Sequence, residues 1–436
     1  MSVLIVLAMS NLLIFCTHSN LDLVFKILVA FIICTLYSFL LMGKGKALTD
    51  SPRLNKLKKG ADLLKTGGYC TVIQFVLMTI YLNKSTESIP SKILNVLYCL
   101  FIIAYVLFCG IITVAKDSKQ IKLKDYILML ILWYIPIVNV FPIYKFYRIA
   151  KREYIFESDR LELENSRSEN EICRTKYPVL MVHGIFFRDW QLFNYWGRVP
   201  AVLKRNGAEV FYGNQQSAQS IESSARELCT AIEDTIKKTG AEKVNIIAHS
   251  KGGLDSRYAI SCLGMDKYVA TLTTINTPHK GCDMVDYLLE KLPIGAVKFI
   301  EKKYNGIFAV LGDKAPDFLS GVKDLSAEKA RDYDRKFPDS PDVSYRSFMS
   351  VMNGAKSAGF PLNIGYRLIK RLNGANNDGL VWEQSAKHGD YRLVSTKNKR
   401  GISHGDVIDL FRENIDGYDV REFYVEIISS LKSQGY

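Results

Sequence analysis

The stretch VNIIAHSKGGLDSRY, residues 244–258, decides how the larger part of this chain folds. Its first five residues are mostly apolar and suit a buried strand. His249, Ser250, Lys251, Gly252 and Gly253 interrupt them, and a helical pattern begins at Leu254. A serine set on a tight turn between strand and helix keeps its hydroxyl exposed on a strained backbone, with the helix N-terminus beneath it. Small neighbours are needed because strand and helix approach closely there. The pattern G-x-S-x-G is met as Ala248-His249-Ser250-Lys251-Gly252, alanine being small enough for the first position.

Outward from this turn, apolar strand-like runs alternate with amphipathic helical stretches. YPVLMVHG (177–184), EVFYG (209–213), KVNIIAHS (243–250), VATLTTINTP (269–278) and DYRLVST (390–396) read as strands, and SIESSARELCTAIEDTIKKTG (220–240) reads as a helix stopped by Gly240. This alternation predicts a doubly wound α/β unit with a mostly parallel sheet over residues 173–436. Residues 153–172 are polar, strongly charged and without apolar periodicity, and are expected to be a linker.

The first third is different in kind. Residues 1–152 hold 18 Lys and Arg against 6 Asp and Glu, so nearly all of the chain's net charge of +13 lies there. Five apolar runs (2–17, 21–42, 66–82, 93–115 and 126–144) contain only Asp22 and Lys26 as charged residues. A membrane span needs roughly 20 apolar residues, so residues 1–152 are expected to be an all-α transmembrane region of about five helices in an integral protein of the cell membrane. The basic loops at 43–65 and 116–124 point to the cytoplasm by the positive-inside rule, and the connection at 83–92 points outside. Five crossings would leave the remainder of the chain extracellular. Against this, Lys145, Arg148, Lys151 and Arg152 follow the fifth run, and Pro136, Asn139 and Pro142 fit a broken or re-entrant segment. The expected partners are the bilayer and an ester substrate, not nucleic acid. No C-x-x-C spacing among the nine cysteines suggests a metal or redox pair.

A serine hydroxyl is a poor nucleophile unless a histidine takes its proton and a carboxylate orients that histidine. Of six histidines, His183 and His279 come too early for the chain order serine, acid, base; His249 is the serine's own neighbour, where adjacent side chains diverge; and His18 is remote. His388 precedes the last strand, whereas His404 follows it, on the edge where catalytic groups gather. His404 is therefore the expected base. Asp378, in the glycine-flanked loop NGANNDGLVW, is the expected acid. Asp255 is expected to cap its helix or pair with Arg257, and Asp390 opens a strand at the wrong end. Two backbone amides, those of Lys251 and of Ile185 in the turn after the first strand, are the expected oxyanion donors.

From about Tyr177 onward the chain resembles the α/β-hydrolase lipases of bacteria, the triacylglycerol lipase family: VHGIF, AHSKGG, NTPHKG, NDGLV and SHGD occur in that family's order and approximate spacing. The resemblance implies Ser250, Asp378 and His404 as nucleophile, acid and base, with no cofactor needed for chemistry. It also implies a structural calcium ion at Asp406, two residues after the histidine, and a mobile lid at residues 286–311. The function these features imply is a membrane-anchored serine hydrolase of carboxylic, lipid-type esters. An acyltransferase using the same three residues, and a noncatalytic receptor or scaffold, are the other readings of the same sequence.

Overall fold

The five apolar runs of the first third fold into helices of unequal length. The computed structural model describes residues 2–43, 49–135, 137–185, 194–216, 218–310 and 316–436, and the chain divides into two units, Met1–Ser166 and Arg167–Tyr436. The first run is broken at Asn11 into α1 (Ser2–Ser10) and α2 (Leu12–His18). The next three runs are α3 (Leu23–Met42), α4 (Pro52–Lys84) and α5 (Ile89–Asp117). Among the described residues these three helices are long and apolar enough to cross a membrane, fewer than the five expected. The fifth run is split between α6 (Leu123–Leu132) and the start of α7 (Val140–Arg167). Asn139 lies in the turn between them, with its side chain donating to the Trp133 carbonyl at 3.3 Å; Pro136 lies outside the described residues.

Residues 153–167 of the expected linker are helical and continue α7, and the boundary between the two units, at Ser166/Arg167, falls within that linker. The segment lacks an apolar stripe, but Arg160 pairs with Glu157 and Glu164 on the adjoining turns, and such i,i+3 and i,i+4 pairs favour a helix without apolar burial. α4 and α5 pack antiparallel through small residues: a Cβ on Gly67 would come within 2.5 Å of Leu107, and one on Gly110 within 2.8 Å of Leu64.

The second unit is built on six parallel strands: β1 (Val179–Val182), β2 (Val210–Tyr212), β3 (Val244–His249), β4 (Val269–Ile275), β5 (Ser344–Ser350) and β6 (Asp390–Val394). Their order is β2-β1-β3-β4-β5-β6, all pairs parallel. The helices between and after them are α8 (Val199–Arg205), α9 (Ile221–Thr239), α10 (Lys251–Cys262), α11 (Asp283–Lys291), α12 (Ile294–Val310), α13 (Phe318–Lys323), α14 (Ala327–Lys336), α15 (Leu362–Asn373), α16 (Glu383–Ala386) and α17 (Val420–Ser433). β5 has no counterpart among the expected strands; SYRSFMS carries too many polar residues to read as an apolar run.

β1, β3 and β4 are buried along their whole length because helices cover both faces of the sheet. Met181 and Ile247 face Trp196, Leu203, Tyr424 and Ile428 from α8, α17 and the loop before α8. Their neighbours Leu180, Val182, Ile246 and Ala248 face Leu228, Ile232 and Ile260 from α9 and α10. Each large aliphatic side chain buried in these layers contributes about 1.5–3 kcal/mol relative to exposure.

The chain winds from β1 to one side of the sheet and returns to place β3 on the other, so strand order reverses between them. A crevice forms outside the carboxyl ends of strands at such a switch point. Gly252 marks how tightly the elements meet there. A Cβ on it would lie 2.4 Å from the His183 carbonyl oxygen and 2.8 Å from that of Val182, and neither backbone oxygen can swing away. Gly252→Ala is expected to cost about 1–3 kcal/mol by overpacking. Gly295→Ala, on α12 with no atom within 4 Å of the added carbon, is expected to stay within about 0.5 kcal/mol. Thermal unfolding in detergent compares the two, and equal effects would contradict the close approach.

Candidate active site

β3 ends at His249, and Ser250 follows with φ 54° and ψ −130°, a left-handed backbone that a residue with a Cβ rarely adopts. Three contacts hold it. Its N–H donates to the Ile275 carbonyl at 2.9 Å, its own carbonyl accepts from Gly253 N–H at 3.1 Å, and Thr277 Oγ1 donates to that carbonyl at 2.8 Å. Gly253 and Gly184 must be small for the same reason as Gly252: Cβ atoms there would come within 2.2 Å of Thr277 Oγ1 and 2.8 Å of Ser250 Cβ. The end of β1, the end of β4 and the first turn of α10 thus form a close frame round one serine.

Asp378 sits in the tight loop after α15, wholly buried. Its Oδ1 accepts from the Leu380 and Val381 N–H groups, each at 2.8 Å, while Oδ2 accepts from Asn276 Nδ2 at 2.6 Å and lies 2.6 Å from His404 Nδ1. Its four acceptor positions are filled, so the carboxylate has one orientation. The His404 backbone N–H also donates to the Asp378 carbonyl at 2.9 Å. The His404 ring stands 4.5 Å, centroid to centroid, from that of His249, the residue preceding Ser250. Asp378 and His404, expected from widely separated loops, are thus joined to each other, and His404 lies against the residue that precedes Ser250.

Two further residues shape the site without having been singled out in the sequence. Tyr195 Oη accepts from Gly184 N–H at 3.0 Å and lies 2.7 Å from His249 Nδ1, tying the end of β1 to the end of β3. Asn276, at φ 51°, bridges Asp378 to β5 by donating to Ser350 Oγ at 2.7 Å and accepting from Ser350 N–H at 2.8 Å. Asparagine after a strand in INTP, a residue tolerant of left-handed backbone, was the available signal. Burial, reinforced by the neighbouring His404, holds His249 well below the ordinary histidine range, so it is neutral.

Lys251 begins α10 with its side chain buried, donating to Asp255 Oδ1 at 2.7 Å and Ser224 Oγ at 2.8 Å. Asp255 therefore pairs with Lys251 rather than with Arg257, which reaches the Phe337 carbonyl at 3.1 Å. Burial pushes the Asp255 carboxyl up to about 6, with Lys251 opposing the rise. Ile185 follows Gly184 and is buried; residues 186–193 are outside the described region. His388 precedes β6, where its ring stacks on that of His279 at 4.5 Å and its Nε2 lies 3.2 Å from Asp339 Oδ1.

The residues at Asp406 do not fit the calcium ion implied by the resemblance. Oδ2 accepts from the Ser403 N–H at 3.0 Å and the Ser403 hydroxyl at 2.7 Å, and Oδ1 pairs with Arg400 Nη2 at 2.9 Å. The other arm of Arg400 pairs with Glu413 at 2.6 Å. A guanidinium occupies the place between two carboxylates that a cation of this kind would need, and calcium takes 6–8 oxygens. Among the described residues no group of three His, Cys, Asp or Glu could hold a metal ion.

A parallel sheet with a strained serine between strand and helix at its switch point, and a buried carboxylate–histidine pair packed against the residue before that serine, defines an α/β-hydrolase. Comparison with known proteins agrees. Residues 179–304 match the family described as "Putative serine esterase (DUF676)". The chain is 31% identical over 176 residues to a triacylglycerol lipase of Pseudarthrobacter phenanthrenivorans, covering 38% of this chain and 54% of that one. It is 30% identical over 262 residues to triacylglycerol lipase 2 of Saccharomyces cerevisiae, covering 56% and 74%. A triacylglycerol lipase of Vibrio cholerae is 28% identical over 261 residues, covering 54% and 83%. The chain spans about half the length of two of the bacterial relatives it matches. This chain belongs to the triacylglycerol lipase family.

Arg400 supplies a direct test of the loop that carries His404. Burial raises the Asp406 carboxyl above its ordinary value and Arg400 opposes that rise. Arg400→Ala should leave a buried carboxylate unpaired, costing about 1–3 kcal/mol at pH 8 after allowance for the partly exposed arginine. A carboxyl raised in the folded state destabilises it when ionised, so this loss should shrink as the pH falls and the group is protonated. In the wild type, calcium and a chelator should give identical melting curves. A chelator-dependent fall in Tm would show that the guanidinium does not substitute for the ion.

Proposed function

We propose that this chain is a membrane-anchored serine hydrolase that cleaves carboxylic, lipid-type esters such as acylglycerols through an acyl-enzyme. The observation that carries this reading is Ser250 at φ 54° in the crevice of the switch point, beside an Asp378–His404 pair joined at 2.6 Å. Family membership supports the reaction class, and three long apolar helices support the anchor.

In this reading Asp378 accepts a hydrogen bond from His404 Nδ1–H, which stays on the ring, and this tautomer leaves Nε2 free to act as base. His404 takes the Ser250 proton as the hydroxyl oxygen attacks the ester carbonyl. The resulting oxyanion is met by the backbone amides of Lys251 and Ile185. His404 returns its proton to the departing alcohol, and water then repeats the sequence to release the acid. Neutral His249 lies against His404 without opposing the positive charge it carries in the transition state. The buried Lys251–Asp255 pair pins the first turn of α10 and so the amide that follows the nucleophile. α11 and α12 are read as the lid over an acyl pocket, with Ile294 and Phe299 exposed on α12; Leu311 lies outside the described residues.

Ester hydrolysis by the detergent-solubilised full chain tests the assignment. Ser250→Ala and His404→Ala are each expected to lose on the order of 10⁴ to 10⁶ in rate, with the double variant scarcely worse, because the residues act as a unit. His388→Ala should stay within roughly tenfold of wild type while losing stability, since its contacts are structural. Retained turnover in a folded Ser250→Ala protein would reject the proposal.

A further inference from the structure

The fifth apolar run holds evidence about which side of the membrane the hydrolase unit occupies. α4 and α5 give the first unit two distinguishable ends. At one, Arg53 Nη1 donates to the Asp117 carbonyl at 2.7 Å. At the other, Asn95 Nδ2 donates to Tyr81 Oη at 2.6 Å. The described basic residues Arg53, Lys56, Lys58 and Lys59 at the start of α4, and Lys116, Lys119, Lys122 and Lys124 from the end of α5 to the start of α6, belong to the first end.

α6 and α7 both return to that end. Tyr126 Oη, near the start of α6, donates to the Ala115 carbonyl at 2.8 Å. Lys145 on α7 pairs with the buried Asp125 on α6 at 2.6 Å, so the two helices run side by side in opposite directions. Further along α7, buried Glu153 accepts from Arg53 Nη1 at 2.6 Å, from Ser118 Oγ at 2.6 Å and from the Lys119 N–H at 3.1 Å. The chain that enters α6 beside Lys119 has come back to Lys119 by Glu153.

From Asp125 to the turn after Trp133 is about ten residues, or roughly 15 Å of helix, half of a hydrocarbon core about 30 Å thick. Among the described residues near that turn, the apolar side chains of Leu130, Ile131, Tyr134, Ile137, Val140 and Phe141 are all exposed, Ile137 at 87%. A surface of this kind belongs in lipid rather than water. The turn meets the need of backbone at membrane depth for internal partners: Ile135 N–H donates to Leu132 O, Asn139 N–H to Ile135 O and Val140 N–H to Ile137 O.

We infer that α6 and the first half of α7 form a re-entrant hairpin that dips into one leaflet and returns, leaving the hydrolase unit on the side of the lysine-rich loops, which is the cytoplasmic side. This reverses the outward orientation drawn from five crossings, because the fifth run does not cross. The occupant of the exposed hairpin surface is the acyl region of the inner leaflet. Lys145, Arg148, Lys151 and Arg152 then lie at the headgroup level of that leaflet, where basic side chains favour anionic lipid. The ester substrate would be drawn from the cytoplasmic face.

The inference rests on the reading of α3, α4 and α5 as membrane spans, and labelling separates the two. Cys262, on the hydrolase unit, is free and exposed. A membrane-impermeant maleimide is applied to cells expressing the full chain, and labelled cysteines are mapped by mass spectrometry. Thr86→Cys, between α4 and α5, should react in intact cells, whereas Cys262 and Lys119→Cys should react only after permeabilisation. Ile137→Cys should stay unreactive from both sides until detergent is added. Labelling of Cys262 in intact cells, or of Ile137→Cys in permeabilised cells without detergent, from a protein that resists alkaline carbonate extraction, overturns the hairpin alone. Release of the protein by carbonate overturns the membrane reading beneath it.

Discussion

The close approach of backbone to backbone beneath Ser250 is the constraint on which the rest of the second unit depends. Carbonyls at the end of β1 stand where a Cβ on Gly252 would be, and Thr277 after β4 stands where one on Gly253 would be. With those positions open, α10 can start directly under the sheet. Ser250 is then forced to a left-handed backbone and its side chain is delivered to the crevice where strand order reverses. The strain costs on the order of 1–3 kcal/mol and is sustained because the hydrogen bonds from Ser250 N–H to the Ile275 carbonyl, and to the Ser250 carbonyl from Gly253 and Thr277, hold the turn in this geometry.

Around this fixed point the charges are arranged so that each has a single partner geometry. Asp378 is surrounded by two backbone amides, Asn276 and His404, so every acceptor position of this wholly buried side chain has a partner. The His404 loop is secured from behind by the Asp406–Arg400–Glu413 chain. Burial holds His249 well below the ordinary histidine range, so this ring against His404 adds no repulsion.

Much of the second unit was legible because its signals are local. Apolar runs of strand length, the small residues flanking Ser250, and polar glycine-bearing loops after strands each state their own geometry. His404 could be separated from His388 by position relative to one strand, β6, which His388 precedes and His404 follows. What escaped the sequence is what depends on neighbours. β5 is a strand because β4 and β6 pair with it, not because SYRSFMS looks like one. Tyr195 and Asn276 matter through partners 54 and 102 residues away. Asp406 has the sequence position of a calcium ligand, but Arg400, six residues upstream, holds its carboxylate. In the first unit hydropathy gave the apolar runs but not their direction. Only the contacts of Glu153 with Arg53, Ser118 and Lys119 reveal where the last run ends.

The central claim is that the geometry at Ser250 activates that one oxygen as a nucleophile. The most direct measurement is intact-protein mass spectrometry of the full chain after treatment with a fluorophosphonate, followed by peptide mapping. The expected result is a single phosphonyl adduct on Ser250 that does not form on the same timescale in a folded His404→Ala protein. An unmodified wild-type protein, or an adduct on any other residue, would contradict it.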